Sequence, residues 1–301
     1  MQATTQATTT LSAAPLPAER RQRRAAAFQL LLRQRLAVPA LAVLLLVVLS
    51  AIFANVIAPY DPERQDYAHV MEGPSRTHLL GTDDIGRDVL SRIIYGSRTS
   101  VSVGLVAVAI SIVFGVTLGL VAAYVRGWVD DVIMRVMDAL AAFPALVLAL
   151  GITAALKPGL LNVMISIGVI FIPQFARLAR GESLSVRELE YVTAARVLGA
   201  GAARTIWRHI WPNITAPIIV QASLRVAAAI VTEASLSFLG AGVPPPTASW
   251  GGMLRSSYQF TETAPWLALF PGAAIFLTVL ASNLFGDALR SALDPRMRGR
   301  D

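Results

Sequence analysis

Six separate stretches of about 20 mainly apolar residues, at 36–58, 101–125, 137–156, 160–178, 214–239 and 266–287, constrain this 301-residue chain more than any other feature. About 20 such residues wound into a helix cross roughly 30 Å of hydrocarbon, and in lipid each backbone N–H and C=O must find its partner inside the segment. The expected fold is therefore all-α and integral to a membrane, with six transmembrane helices. Composition supports this, since 55% of the residues are hydrophobic, 15% are charged and the mean hydropathy is +0.59. The first stretch follows a cluster of arginines, as a secretory signal would. Its apolar run is too long for one and no small-x-small cleavage site follows, so it reads as an uncleaved anchor. Only Lys157, Pro158 and Gly159 separate the third stretch from the fourth, which suits a tight helical hairpin.

Arginine placement sets the expected orientation. Of 26 basic residues, 18 fall in the N-terminal tail, the loop after the second stretch, the 179–213 loop with Arg177 just before it, and the C-terminus. Seven fall on the other side, and Arg225 lies within a stretch. Because Lys and Arg are retained in cytoplasmic loops, both termini and the 179–213 loop are expected to be cytoplasmic. The resulting organisation is a basic tail over 1–35, disordered in its first 19 residues, an anchor over 36–58 and an outer loop over 59–100. A membrane core follows over 101–290, with a C-terminal tail over 291–301. The net charge of +7 follows from the same loops, facing membrane lipid and water, and calls for no nucleic acid.

Several chemistries are excluded. Lys157 is the only lysine and precedes Pro158, so no phosphate-binding G-x-x-x-x-G-K-[ST] loop exists here. There is no cysteine, and His69, His78 and His209 fall in polar loops. No Ser/His, paired-Asp or zinc-ligand set occurs within the stretches, which removes the basis for an intramembrane enzyme.

In the outer loop, "HLLGTDDIGRDVLSRIIYGSRTS" places Val89, Leu90, Ile93 and Ile94 on one helical face and Arg87, Asp88, Ser91 and Arg92 on the other. A short helix lying in the interface is expected, capped by Asp83 and Asp84; with His78 these carboxylates are otherwise a cation site. The small residues Gly104, Ala107, Ala109, Ser111, Gly115 and Gly119 would let the second span pack closely. Trp250 and Trp266 read as interfacial anchors, and Asp138 and Asp287 as boundary residues paired with nearby arginines.

The segment "EYVTAARVLGAGAARTIWRHIWPN" departs from this apolar pattern. Tyr191, Ala194, Ala195 and Leu198 repeat at helical spacing, Gly199 and Gly201 permit a sharp turn, and a second short helix over 202–210 leads to Pro212. Such a helix-turn-helix either lies on its own bundle and the lipid headgroups or presents a surface to a partner.

The same segment resembles the EAA loop of ABC-transporter permeases, whose pattern is E-A-A, three residues, Gly, nine residues and I-x-L-P. Here Thr193, Ala194 and Ala195 are followed by three residues, Gly199, nine residues, and His209, Ile210, Trp211 and Pro212. Thr193, His209 and Trp211 depart from the pattern. "LGTDDIGRDVLSRIIYGSRTS", "EASLSFLGAGVPPPTASWGGML" and "FPGAAIFLTVLASNLFGDALRSALDP" are similar to the outer loop, fifth span and last span of the dipeptide, oligopeptide and nickel branch. The long outer loop resembles that of its C-type permeases.

That resemblance implies a type I ABC importer permease fold in a bacterial inner membrane. It implies a second permease, two cytoplasmic ATPases that hold the ATP and magnesium, and an external substrate-binding protein; this chain itself would bind no cofactor. The ATPase-coupling residues would be Glu190, Tyr191, Ala194, Ala195, Arg196, Leu198, Gly199, His209 and Pro212. "GVPPPTASWGGML" and "QFTETAPW" would be interfacial segments or part of the surface that receives the binding protein. The cargo would be di- or oligopeptides, with nickel or glutathione as alternatives; a stand-alone secondary transporter would leave the EAA-like loop unexplained.

Arg225 and Glu233 each cost roughly 2.5 to 3.5 kcal/mol at the centre of a membrane helix, so neither should face lipid. Eight residues apart, they stand about 12 Å apart along a helix axis, too far for a direct bond. They read either as interhelix tethers or as groups on the translocation path.

Overall fold

The computed structural model describes residues 36–293, so the readings for residues 1–35 and 294–301 lie outside the described residues. Helix α1 (Ala37–Ile52) is interrupted at Phe53 before one further turn, Ala54–Ile57. Then come α2 (Val89–Val125), α3 (Gly127–Ala142), α4 (Ala145–Leu156) and α5 (Leu160–Arg187). A short α6 (Glu190–Val197) precedes α7 (Trp211–Phe238), and α8 (Trp250–Ser257) precedes α9 (Trp266–Leu293). Helices α2, α5 and α9, and α7 with the turns that lead into it from Ala202, are each long and apolar enough to cross a membrane. The bent pair α3 and α4 makes a fifth such unit, while α1 is shorter, with 16 residues.

The centre of the bundle is the α2–α5 contact, made possible by small residues. A Cβ on Gly115 would lie 2.7 Å from Ile172 O, and one on Gly119 would lie 2.3 Å from Ala176 O. Between helices packed this closely, Ser111 Oγ donates to Gly168 O at 2.8 Å as well as to Ala107 O in its own helix. Helix α7 crosses α2 at Gly104, against Val226 and Ile230. Ala109, expected among the packing residues, is exposed.

Four expectations change. The expected separate interfacial helix forms the opening turns of α2, which runs 37 residues without a break. Gly96 does not interrupt it because the Trp250 ring packs where a Cβ would stand. The residues expected on a polar face, Arg87, Asp88, Ser91 and Arg92, are instead buried beneath the 59–88 loop.

Second, the helix cap is Asp88, whose carboxylate accepts from Ser91 N at 2.8 Å and Ser91 Oγ at 2.7 Å. Asp83 instead fastens the loop, accepting from Arg87 Nε at 2.7 Å and from the backbone N–H groups of Ile85 and Arg87.

Third, the stretch at 137–156 is not one straight span. Proline holds the residue before it extended, and Phe143 at ψ 139° turns α4 by 95° from α3. Fourth, Trp250 is a core residue, 1% exposed, donating its indole N–H to Ile93 O at 3.0 Å, and Trp266 packs in the same cluster. Asp138 does pair with Arg177, at 2.8 Å.

Candidate functional site

Helix α5 ends where Arg187 reaches across to α2. Its guanidinium donates to Ala123 O at 3.0 Å and Tyr124 O at 3.1 Å and lies over the Tyr124 ring. Those carbonyls belong to the last turn of α2, which has no intrahelical partners to offer them. Two turns earlier on the same face, Arg180 holds Asp130 of α3 through two bonds of 2.6 Å. The chain therefore leaves α5 from a fixed point. Nothing in the sequence pattern alone distinguished Asp130 from its neighbour Asp131.

Helix α6 starts at Glu190 and carries Arg196 in its last turn, each at the end where the helix dipole favours its charge. It ends in a Schellman motif: Gly199 N donates to Arg196 O and Ala200 N to Ala195 O, both at 3.0 Å. That motif requires a left-handed residue, and Gly199 supplies it at φ +86°. Gly201 is extended and opens a turn, Ala202–Thr205, that continues through a widened π turn, Ile206–Ile210, into α7. The widened turn lies immediately before Pro212, which lacks an N–H for the Arg208 carbonyl and whose ring would crowd it.

The expected second helix is thus the root of α7. Tyr191 joins α6 to that root. The Asn213 amide donates to Tyr191 Oη at 2.9 Å and to His209 O at 2.6 Å, and the Tyr191 and His209 rings stand 6.0 Å apart.

The expected apolar stripe does not face the bundle. Val192 does, fully buried among Val186, Ile210 and Ile214. Leu198 is 88% exposed and Val197 83%, while Tyr191 and Ala194 are also exposed. With Glu188, Glu190 and Thr193, the residues Ala194, Val197 and Leu198 line an open depression of about 650 Å³. Val192 and the Tyr191–Asn213 contact anchor the helix, and an apolar ridge with Glu188 and Glu190 at its N-terminal end is left uncovered by the described residues.

The structure does not bring Arg225 and Glu233 together. Glu233 is fully buried, its carboxyl accepting from Ser237 Oγ at 2.8 Å and, across the helix interface, from Ser100 Oγ of α2 at 3.4 Å. It ties α7 to α2. Glu233→Ala should lower the stability of the chain by about 3 kcal/mol, because it leaves a cavity and two buried hydroxyls without their acceptor. Glu233→Gln keeps shape and acceptor and should cost about 1 kcal/mol or less; thermal melting in detergent distinguishes the two. Arg225 sits over the Phe171 ring and is half-buried, without a carboxylate within 4.0 Å among the described residues.

At the far end of the bundle, the 59–88 loop is knotted to the start of α2. Arg92 donates to Pro62 O at 2.9 Å, Ser91 Oγ accepts from Tyr60 N, and His78 Nδ1 meets Asp88 at 3.0 Å. Burial, with the Asp83 charge beside it, pushes the Asp84 carboxyl above its ordinary range. Among the described residues no three His, Asp or Glu side chains converge as a metal site requires.

Residues 115–299 match the family described as binding-protein-dependent transport system inner membrane component, and residues 24–74 match the N-terminal membrane domain of oligopeptide transport permease C. Over 268 residues the chain is 45% identical to the glutathione transport system permease protein GsiD of Pectobacterium atrosepticum, with 89% of each chain covered. Over 272 residues it is 44% identical to the dipeptide transport system permease protein DppC of Alkalihalophilus pseudofirmus, with 90% of each covered. The inward-facing MetNI methionine ABC transporter shares its fold, with a TM-score of 0.56 at 15% identity over 67% of this chain and 96% of that one.

Proposed function

Because this chain belongs to the family of binding-protein-dependent transport system inner membrane components, an ABC permease of bacterial inner membranes, we propose that it carries short peptides inward. Glutathione, itself a tripeptide, falls within that cargo class, as the names of the similar permeases suggest. The six-span reading counts α1, α2, the bent α3–α4 pair, α5, α7 and α9, with both termini and α6 in the cytoplasm. Transport is driven by ATP and magnesium held on two partner ATPases, and a second permease completes the pathway. An external binding protein delivers cargo at the outer face, where the 59–88 loop packs on Trp266 beside the 242–254 and 259–266 segments.

The observation that carries this reading is the ridge of α6. Val192 and the Tyr191–Asn213 contact hold it in place, and Val197 and Leu198 are on a surface that the described residues leave uncovered. An ATPase groove that accepts an apolar helix with an acidic N-terminal end would cover it, and closure of the ATPases would then move α7 through its root. Glu190, Tyr191, Ala194, Ala195, Arg196, Leu198, Gly199, His209 and Pro212 are the proposed coupling residues.

The test is purification of the chain from its native membrane, followed by reconstitution. A second permease and two ATPases should accompany it, with ATP hydrolysis stimulated by loaded binding protein and by short peptides in particular. Recovery of the chain alone, moving solute without ATP, would overturn the importer reading. Stimulation by nickel and not by peptides would overturn the cargo.

A further inference from the structure

The guanidinium of Arg225 lies near the midpoint of the 28-residue α7, yet no acid in the described chain neutralises it. Glu233, the only acid in the same helix, is fully buried and bonded to serines. With its amide oxygen turned as its neighbours require, Gln221 accepts from Arg225 Nε at 3.0 Å and Nη2 at 3.2 Å. The Phe171 ring backs the guanidinium, 5.5 Å from the ring centroid. Five N–H donors fan out from a guanidinium, and Gln221 occupies two. The remaining donors, on Nη1 and Nη2, have no partner within the described chain, and they are not sealed inside it.

A cavity of about 630 Å³ between α5, α7 and α9 reaches Gln221, the residue that holds this group. It is lined by Asn213, Pro217, Gln221 and Leu224 of α7, by Glu182 of α5 and by Arg290 of α9. Asn213, Pro217, Gln221 and Arg225 are spaced by four residues and form one row along α7, so Arg225 stands about 18 Å from Asn213 along the axis. Long helical side chains lean toward the N-terminus of their helix, which brings the guanidinium back over Gln221 and toward the cavity. Gln221 therefore both lines the cavity and orients the cation one turn further along α7.

We infer that Arg225 is a cargo-recognition residue, which receives the terminal carboxylate of a passing peptide on its free N–H edge. The fork geometry of a guanidinium matches a carboxylate through two parallel bonds, and the surrounding apolar helices strengthen them. Gln221 and Phe171 hold that fork open without discharging it. The inference rests on the proposed import of peptides and names the part of the cargo that this chain reads.

The absence of cysteine from the chain makes the test direct. Arg225→Cys introduces its single thiol, and the variant complex is reconstituted with its partner permease, ATPases and binding protein. Uptake of a dipeptide with a free carboxylate should fall at least tenfold. A cationic ammonium-ethyl thiosulfonate should restore a large part of that uptake, and an anionic sulfonate-ethyl reagent should not. Saturating dipeptide during turnover should slow labelling of the thiol severalfold.

Unchanged uptake in the cysteine variant would overturn the inference, as would a thiol that neither reagent reaches, or equal effects of the two reagents. Loss of the second permease on purification of Arg225→Cys would instead identify Arg225 as an intersubunit tether. A wild-type complex that imports no peptide fails the function itself, before any variant is made.

Discussion

Gly119→Val should prevent the permease from accumulating as a folded membrane protein. A Cβ at that position would stand 2.3 Å from Ala176 O, 2.9 Å from Ala179 Cβ and 3.0 Å from Arg180 N. Two of those three atoms are backbone of α5 and cannot rotate away, so the helices have to part. The separation spreads, because Gly115 makes the same approach about one turn earlier and Ser111 bonds Gly168 beyond it. Between membrane helices, where no hydrophobic term drives association, close packing and such bonds supply the attraction. Overpacking on this scale costs about 3 kcal/mol or more, a large part of a membrane domain's margin.

Alanine at 119 should show a smaller loss in thermal melting. Gly181→Ala provides the control, since nothing lies within 4 Å of its Cβ and the residue is in the same helix as Ala179; it should be neutral or slightly stabilising. A Gly119→Val protein with wild-type melting would show that α2 and α5 are not in contact at this point.

A different glycine is expected to separate folding from transport. Gly199 sits at φ +86° with open space around its Cβ, so any substitution acts through the backbone and not through a clash. Valine, β-branched, is strained there by about 1–3 kcal/mol, whereas asparagine enters the left-handed region readily. The Schellman turn would open in the valine variant and swing Val197 and Leu198 away from the position in which the Val192 anchor holds them.

Gly199→Val should reach the membrane at wild-type levels and lose at least tenfold in peptide-stimulated ATP hydrolysis and uptake. Gly199→Asn should stay within about twofold of wild type, and alanine should fall between, following their ease of adopting positive φ. Full transport by the valine variant would remove α6 from the coupling route. The ordering of the three variants carries the test, because all three leave the side-chain surroundings empty.

The parts of this architecture legible in the sequence are those set by local pattern. Runs of apolar residues located the long helices, and the spacing of Tyr191, Ala194, Ala195 and Leu198 located α6 and its glycine stop. What a pattern lacks is direction. The stripe on α6 was read correctly as apolar, but the inward residue is Val192, and the described residues leave the apolar ridge on the opposite side uncovered.

Hydropathy likewise measures how apolar residues 137–156 are without registering that Pro144 turns the axis by 95°. Trp250 looked like an interfacial anchor because its acceptor, Ile93 O, lies 157 residues away. Asp83 and Asp88 both precede α2, and only the fold shows that one fastens a loop to Arg87 while the other caps the helix. Glu233 and Arg225 were recognised as unable to face lipid. Their separate fates, one closed on serines of α7 and α2 and the other held half-buried over Phe171 of α5, depend on α2 and α5, which local sequence does not place.

At 37 residues, α2 is about 55 Å long. At one end, Arg92, Ser91 and Asp88 grip the 59–88 loop, and at the other its final carbonyls are held by Arg187, three residues before α6 begins. A connecting rod of that length converts each degree of tilt into about 1 Å of travel between its ends. A few degrees of rocking where the binding protein is proposed to dock would thus displace the corner proposed to meet the ATPases by the width of an atom or two, with no helix having to bend.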